Sequence, residues 1–581
     1  MADWTSAYEA MKGDLNLDND AIGVFAVNLK FNLDDFQATA TEALTGGGDD
    51  KKCDLIYIDK ELKLAVVAQC YMAKASKISA PSNKASDLNT AMTWLLNAPI
   101  ESLPDAISGH ADELRSALKE GEIDQIHVWY VHNCPSSKNV ADELSTVEGT
   151  TKALLSGLLN SGQEVSIAAA EIGFDEISHL YKQAEQTIIV TDKFELLVKD
   201  ALDIQQDDWS SVVTYVPGSW LNRLYSDFGT DLFSANLRGY LGSRESEANI
   251  NNNIKNTAAS EPKNFFVYNN GITAIVLDYE LAKRTRAGRK LQITGISIVN
   301  GAQTTGSIGS LTDTVPDDLF VAVRFVKAKQ NPIISNVVRF NNSQNKLQAA
   351  DFRSTDPIQE RLRAEFAGIP YAEYEGGRRG GASDAIKRSK NALPSYTVAQ
   401  ALAAFHGDPV NAYDKKSELW VNEARYRKIF TDRTTAKHII FCYSLLDLIN
   451  TTKSMLTKAG RADADSQTEL DKKKLSFLNQ KGANYLLVYV ISQCLEGILG
   501  RPIPNKFDLH FKKNLSPEGA MANWKPIVDI ILSLSIQLDD AFSKNRISSE
   551  GVEGTVPKFV GVIDSLKDAY SEKFTAFAAE L

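Results

Sequence analysis

The reading turns on two runs, FFVYNNGITAIV (265–276) and LQITGISIVNGAQTTGSI (291–308). Each joins an apolar, β-rich segment to a small amide-rich cluster. The clusters are Asn269-Asn270-Gly271 and Asn300-Gly301-Ala302-Gln303-Thr304-Thr305. Runs rich in Val, Ile and Phe and closed by Asn-Gly predict buried strands that end in tight turns. The small residues Gly306, Ser307 and Gly309 suit the opening of a helix. A strand leading through a Gly turn into a helix start is where α/β folds commonly place ligands, because free backbone N–H groups point outward there.

Working outward, LFVAVRFVKA (319–328) predicts another strand, and PIISNVVRFNNSQ (332–344) begins as a helix. Residues 191–260 read as a connecting region that becomes helical. The turn KRTRAGRK (283–290) sets Lys283, Arg284, Arg286, Arg289 and Lys290 on a hairpin tip, fit to straddle a phosphate backbone. The same charges also suit a solvated turn. Arg378, Arg379, Lys387, Arg388 and Lys390 form a second basic stretch, in and after the Gly-rich EGGRRGGAS (375–383). The amides Asn269, Asn270, Asn300, Gln303, Asn341, Asn342 and Gln344 both donate and accept, which suits them to read base edges or a nucleotide. Turn chemistry alone also uses such residues. The expected arrangement is one polar cleft at strand ends, lined by Asn270, Asn300, Gln303 and Asn342, with Arg324 or Arg339 nearby and Thr304 alongside.

Three co-linear motifs carry a family resemblance: YNNGIT (268–273), IVNGAQTT (298–305) and RFNNSQN (339–345), with Asn236-Leu237-Arg238 upstream. Over roughly Val216 to Arg379 the chain resembles the abortive infection phage resistance family, AIPR. The resemblance implies a bacterial phage-defence role and supplies no chemistry of its own.

Chemistry has to come from the N-terminal part. Residues 3–12 and DDFQATATEAL (34–44) have helical spacing, the second closed by Gly46-Gly47-Gly48. CDLIYIDKELKLAVVAQCYMAK (53–74) predicts a hairpin with strands 53–59 and 62–71 and a two-residue turn at Lys60-Glu61. That turn pairs position 54 with position 67. By period-two alternation Gln69 then shares a sheet face with Asp54. Helices near 84–97, 105–120, 139–160 and 174–185 and strands at 123–132 and 164–170 follow. This order resembles the PD-(D/E)xK (Mrr-like, restriction-endonuclease-like) nuclease core, in its variant with Gln in place of Glu. The resemblance implies that Asp54 and Gln69 hold Mg²⁺ or Mn²⁺ against a scissile phosphate, that Glu42 approaches from the preceding helix, and that a lysine orients the attacking water. The pattern wants that lysine two residues after Gln69, where Tyr71 stands. Lys74, rather than Lys63 or Lys77, is the expected substitute, and Asp49 and Asp50 are spare carboxylates. Aspartate at a strand start and glutamine at a strand end are also common solvated residues, and an inactivated core kept for binding would look similar.

The remaining composition sets bounds. The chain has 581 residues, 43% hydrophobic and 24% charged, enough for two to four domains. A net charge of −11 excludes a global basic field, so any nucleic-acid contact must be local. Five scattered cysteines without a CxxC argue for reduced thiols in a cytoplasm and against a zinc site. The acidic start MADWTSAYEAMKGDLNLDND is not a signal peptide, and no apolar run has the length to span a bilayer. His127 and His132, an odd number apart on one strand, face opposite sides. P-loop, GxSxG and HExxH motifs are absent. From Ser395 onward, stretches such as NYLLVYVISQCLEGIL have helical length and stripes.

The expectation is thus an α/β multi-domain protein: a nuclease-like α/β domain at 1–190, a central mixed α/β AIPR domain at 191–394, and an all-α domain at 395–581. The function expected is cytoplasmic anti-phage defence by Mg²⁺-dependent cleavage of nucleic acid, DNA before RNA. The alternative is a catalytically inactive sensor acting through a partner. Expected partners are DNA and a phage-derived trigger or defence-system protein, with a homo-oligomer left open.

Overall fold

The N-terminal hairpin closes through a connection two residues longer than the simplest turn. In the computed structural model, β1 (Leu55–Asp59) and β2 (Leu64–Tyr71) are antiparallel, with Leu55 opposite Ala68 and Asp59 opposite Leu64. The connection is therefore Lys60–Lys63, not a two-residue turn. Asp59 Oδ1 accepts the backbone N–H groups of Glu61 (3.0 Å) and Leu62 (2.8 Å), and Lys63 takes the left-handed conformation at φ 58°. This side-chain turn moves the register by two, so Asp54 faces Gln69 rather than Val67. A shift of two preserves the face each side chain occupies.

The structure describes residues 4–15, 17–45, 49–160, 162–185, 188–235, 254–311, 315–328, 333–334, 337, 350, 353, 356–374, 376, 391–462 and 467–581. Asn342, Arg339, the remainder of RFNNSQN, Asn236-Leu237-Arg238 and the second basic stretch lie outside them.

Strand β2 runs parallel to β3 (Gln125–His132), and β3 parallel to β4 (Ser166–Ile172), giving the order β1-β2-β3-β4. One face packs on α1 (Trp4–Asp14), α2 (Ala21–Phe31), α3 (Phe36–Ala43) and α7 (Phe174–Glu185). The other packs on α4 (Ser82–Asn97), α5 (Asp105–Lys119) and α6 (Lys138–Ser156). Helix α2 has no counterpart in the sequence reading. Its residues AIGVFAVNLKF are buried almost all round, so no amphipathic stripe marks it. His127 lies against Phe31 on the α2 face and His132 against Tyr130 on the other, opposite as expected.

The central part departs from expectation upstream. Residues 191–217, read as a connection, form β5 (Val190–Val198), β6 (Leu202–Gln205) and β7 (Trp209–Pro217), followed by α8 (Gly218–Phe228). Phe265–Tyr268, read as a strand, belongs to α9 (Pro262–Tyr268). Pro262 starts that helix with its missing N–H where no partner is needed. Phe265 is buried, while Phe266, Val267 and Tyr268 are exposed. The strands β8 (Ile272–Ile275), β9 (Asp278–Leu281), β10 (Arg289–Asn300) and β11 (Phe320–Ala328) complete a sheet ordered β5-β10-β8-β11-β7-β6, with β9 also on β10. Strand β10 passes through left-handed Gly301 into α10 (Ala302–Gly309), the anticipated strand–turn–helix. The basic turn is the tip between β9 and β10, also as anticipated.

The helical part has one continuous core running from Ala350 to Phe577, so it recruits residues well before Ser395. Its main helices are α11 (Pro357–Phe366), α12 (Ser395–Phe405), α13 (Ala436–Ala462), α14 (Glu469–Asn479), α15 (Ala483–Leu499), α16 (Pro517–Ser533) and α17 (Ser549–Leu566). It is stitched to α3 by polar contacts. Asp35 accepts Thr397 Oγ1 (2.7 Å), Gln37 Nε2 donates to Asp447 Oδ1 (3.0 Å), and Thr41 and Ser454 hydroxyls meet at 3.2 Å. Among the described residues no helix is long and apolar enough to cross a membrane. All five cysteines are free and buried.

Candidate active site

Asp54 enters β1 with its N–H donating to Ala68 O at 2.9 Å, which sets its side chain beside that of Gln69. Gln69 Nε2 donates to Asp54 Oδ2, and Cys70 N donates to the same oxygen at 2.6 Å. Both side chains are buried. Gln69 Oε1 is left buried with no hydrogen-bond partner. An orphaned buried carbonyl oxygen costs about 1–3 kcal/mol, so its position next to a carboxylate asks for a cation or a water. Burial first, then the charges of Asp20 and Asp50, push the Asp54 carboxyl up to about 7 against the opposing Cys70 N–H and Lys84 ammonium.

Glu42, also expected at this site, is engaged elsewhere. Glu42 turns toward the helical domain. Its Oε1 accepts the Tyr485 hydroxyl at 3.2 Å, and its backbone carbonyl bonds His110 Nε2 (2.8 Å) and accepts from Lys481 Nζ (3.2 Å). The reason is helical phase: the polar face of α3 that carries Gln37, Thr41 and Glu42 is the one covered by α13 and α15. Lys74 is exposed beyond the end of β2, with no ion pair or hydrogen bond among the described residues. Asp49 pairs with Lys51 at 2.5 Å, and Asp50 Oδ1 accepts Lys52 N at 2.9 Å.

The lysine position is filled differently. Tyr71, where the motif wants lysine, has Lys77 Nζ 5.2 Å and Lys84 Nζ 6.0 Å from its ring centre. Lys77 Nζ also donates to the Tyr71 hydroxyl at 2.5 Å. Of these lysines, Lys84 is the one whose charge acts on Asp54. It stands in the first turn of α4, half-buried.

Register extends the site across the sheet. Gln69 is paired with Tyr130, and Tyr130 with Glu171, so Asp54, Gln69, Tyr130 and Glu171 form one row on the α4–α6 face. The Tyr130 hydroxyl is buried without a partner, like Gln69 Oε1 beside it. Glu171 accepts His132 Nε2 at 3.0 Å and Ser137 N at 3.1 Å. Burial pushes Glu171 up and His132 down to about 4, so the histidine is neutral near pH 7. Sequence reasoning missed Asp20, Lys84, Tyr130 and Glu171. A polar residue near the end of each successive strand, in phase with Gln69, was the available clue to the last two.

Among the described residues no group of three or more His, Cys, Asp and Glu side chains is arranged to hold a metal. Asp54 and the orphaned Gln69 oxygen offer two oxygens. That number suits Mg²⁺, which keeps several waters and takes one or two protein oxygens plus substrate phosphate.

In the central domain the amides divide. Asn269 Oδ1 accepts Gly271 N at 2.9 Å, and its Nδ2 donates to Thr304 Oγ1 at 3.1 Å, so this pair is internal turn chemistry. Asn270 and Asn300 are exposed and Gln303 half-buried, and none of the three side chains has a hydrogen-bond partner among the described residues. Asn300, Thr273 and Arg324 lie in register across β10, β8 and β11, with Arg324 Nη2 donating to Thr273 Oγ1 at 3.0 Å. On the basic turn, Arg284 pairs with Asp200 (2.8 Å), Lys290 with Glu195 (2.8 Å), and Arg289 Nε donates to Ala282 O (2.9 Å). Lys283 and Arg286 are exposed with no such partner among the described residues.

No curated protein and no solved structure matches this chain. The sequence model of the family described as AIPR protein matches residues 233–525, half of the chain, from the motif-bearing strands into the helical core. The chain therefore belongs to the AIPR family, a membership that supports a role in abortive-infection defence against phage.

Proposed function

We propose that the protein is a Mg²⁺-dependent phosphodiester hydrolase of the PD-(D/E)xK type, acting on nucleic acid, DNA before RNA, in abortive infection. One observation carries the reading: Asp54 and Gln69 meet in the sheet with Gln69 Oε1 buried and unpartnered. Asp54 and Gln69 would hold the ion, which when bound polarises a phosphate and lowers the pKa of water. Asp54 must lose its proton to do so, and the Lys84 ammonium favours that loss. Lys84 takes the lysine role, orienting the attacking water or the scissile phosphate from α4 instead of from β2. Asp54 and Gln69 are both buried, which strengthens these interactions.

The test is incubation of the purified chain with plasmid, single-stranded DNA and RNA, with Mg²⁺, Mn²⁺ or a chelator. Cleavage that needs the ion and disappears with Asp54→Asn supports the reading. Ion-independent nicking, or none on any substrate, removes it. Lys84→Ala is expected to reduce the rate by about 10²-fold or more, while Lys74→Ala stays within about twofold. The reverse ranking would return the lysine role to the strand end. A second reading is favoured by Asp54 Oδ2 already accepting two N–H groups: a core that has lost catalysis and binds only. It predicts nucleic-acid binding indifferent to divalent ions.

Recognition is assigned to the central domain, with Asn270, Asn300, Gln303 and Arg324 toward a base or phosphate and the β9–β10 tip toward the backbone. Because Arg284 and Arg289 already have partners, the phosphate contacts fall to Lys283 and Arg286. Replacing these two with Ser should flatten the salt dependence of DNA binding by about two units of log–log slope. Arg284→Ser should change the slope little. Equal slopes in all three proteins would leave the turn as solvated charge.

A further inference from the structure

The segment MAKASKISAP (72–81) joins the end of β2 to the start of α4. Its base is fixed at both ends. The Asn133 side chain holds both backbone groups of Ala73, accepting its N–H at 2.8 Å and donating to its carbonyl at 3.1 Å. At the far end Ala80 is buried. Between these anchors Lys74, Ala75, Ser76, Lys77 and Ile78 are all exposed. The charge of this region runs against that of the chain. From Leu62 to Ser86 the sequence holds Lys63, Lys74, Lys77 and Lys84 and no acid, within a protein of net charge −11. Among the described residues Lys74, Lys77 and Lys84 have no carboxylate partner. The Lys77 ammonium bonds the Tyr71 hydroxyl instead, and both Lys77 and Lys84 lie over the Tyr71 ring. Tyr71 is two residues past Gln69 on the same strand, so it shares the sheet face of the candidate site. The loop therefore stands next to Asp54 and Gln69. Its tip carries an apolar side chain where solvation alone would favour a polar one. Ile78 is 94% exposed, more than any other large apolar residue among those described.

We propose that segment 72–81 holds the nucleic acid beside the candidate site, with Lys74 and Lys77 on phosphates and Ile78 wedged between neighbouring bases. The inference rests on the nucleic-acid reading above and adds to it the way the substrate is held. Ammonium groups without acid partners suit a polyanion, and an apolar side chain between them suits a base stack that it can part. A loop anchored at both ends loses little freedom on binding. A protein partner could also cover Ile78, but the unpaired cations around it favour nucleic acid. These contacts are made alike in the ground and transition states. They act on KM and leave the rate at saturating DNA within about twofold, as expected for Lys74→Ala.

The test uses the full chain and an AT-rich DNA duplex in the presence of a chelator, so that binding is read without cleavage. Anisotropy of the labelled duplex gives the affinity and its salt dependence, and permanganate reactivity of thymines reports unstacked bases. The parent protein is expected to bind and to make one or two thymines reactive. Replacing Lys74 and Lys77 together with Ser should weaken binding about tenfold or more and lower the log–log salt slope by about two units. Ile78→Ser should remove the permanganate signal and leave the salt slope in place, while Ile78→Leu keeps both. All these side chains are exposed, so the melting temperature should stay unchanged and a folding defect is separable. A parent protein that binds in chelator but never cleaves with Mg²⁺ would sink the hydrolase reading and leave this one standing. The loop assignment is overturned if the parent does not bind DNA, if the lysine variant keeps the full slope, or if Ile78→Ser keeps the reactive thymines.

Discussion

Asp54→Asn is expected to abolish metal-dependent cleavage, on the order of 10³-fold or more, and to raise the melting temperature above pH 7. The stability half follows from burial. A carboxyl whose folded pKa is about 7, against 3.8 ordinarily, binds its proton more tightly in the folded state. Folding stability is therefore highest below about pH 4 for this group. It falls as pH rises from about 4 to about 7, by at most about 4 kcal/mol. Asparagine has no proton to lose, so the variant lacks that slope while still accepting the Gln69 and Cys70 N–H groups. A divalent ion binds the deprotonated carboxylate, so stabilisation by Mg²⁺ should grow through pH 7 in the parent protein and be missing in the variant. Melting curves at pH 5 and pH 8.5, with and without Mg²⁺, read all of this. A variant that melts several degrees lower at pH 8.5 would make Asp54 a structural residue and sink the ligand assignment.

Gly301→Ala should strongly destabilise the central domain. Gly301 sits at φ 91°, and a Cβ there would lie 2.5 Å from Ile272 Cγ2 and 2.9 Å from the Gly271 carbonyl oxygen. Left-handed strain of about 1–2 kcal/mol adds to overpacking of about 1–3 kcal/mol. A loss of about 2–5 kcal/mol follows, visible as faster hydrogen exchange across β8 and β10. Gly271 tells the same story, since its Cβ would meet Ala322 O at 2.5 Å. These glycines bring three strands together at the point where β10 turns into α10. Their first task is backbone packing, and the exposed amides beside them are displayed by that packing. Normal exchange in Gly301→Ala would show that the turn relaxes and the contact is unimportant.

These two glycines also explain what could be read from the chain beforehand. Asn-Gly turns and Val/Ile runs announce themselves locally, so β10, its turn, α10 and the hairpin β1–β2 were legible. Residues 191–217 were not, because β5 and β6 are edge strands with exposed, charged side chains and no clean alternation. The run at 265–268 misled because Pro262, three residues earlier, decides a helix that the apolar composition disguises. At the candidate site, Asp54 and Gln69 were legible through strand parity, which survives a register shift of two. Glu42 was not, since the phase of a helix against another domain is a tertiary fact. Lys84 was hidden for the same reason: the first turn of α4 sets this sequence-distant ammonium 6.0 Å from the Tyr71 ring.

Helix α3 is held at both ends by different parts of the molecule. Its flank is bound by Thr397, Asp447, Ser454 and Tyr485, while the residues that leave it, Leu44 and Thr45, bridge to Leu55 and donate to Asp54 O. Any ligand of the helical domain that displaces this helix must act on the carboxylate's own backbone. By thermodynamic reciprocity, occupation of the Asp54 end then alters the affinity for that ligand by the same factor. Trigger and catalyst would share one free-energy balance through eight residues.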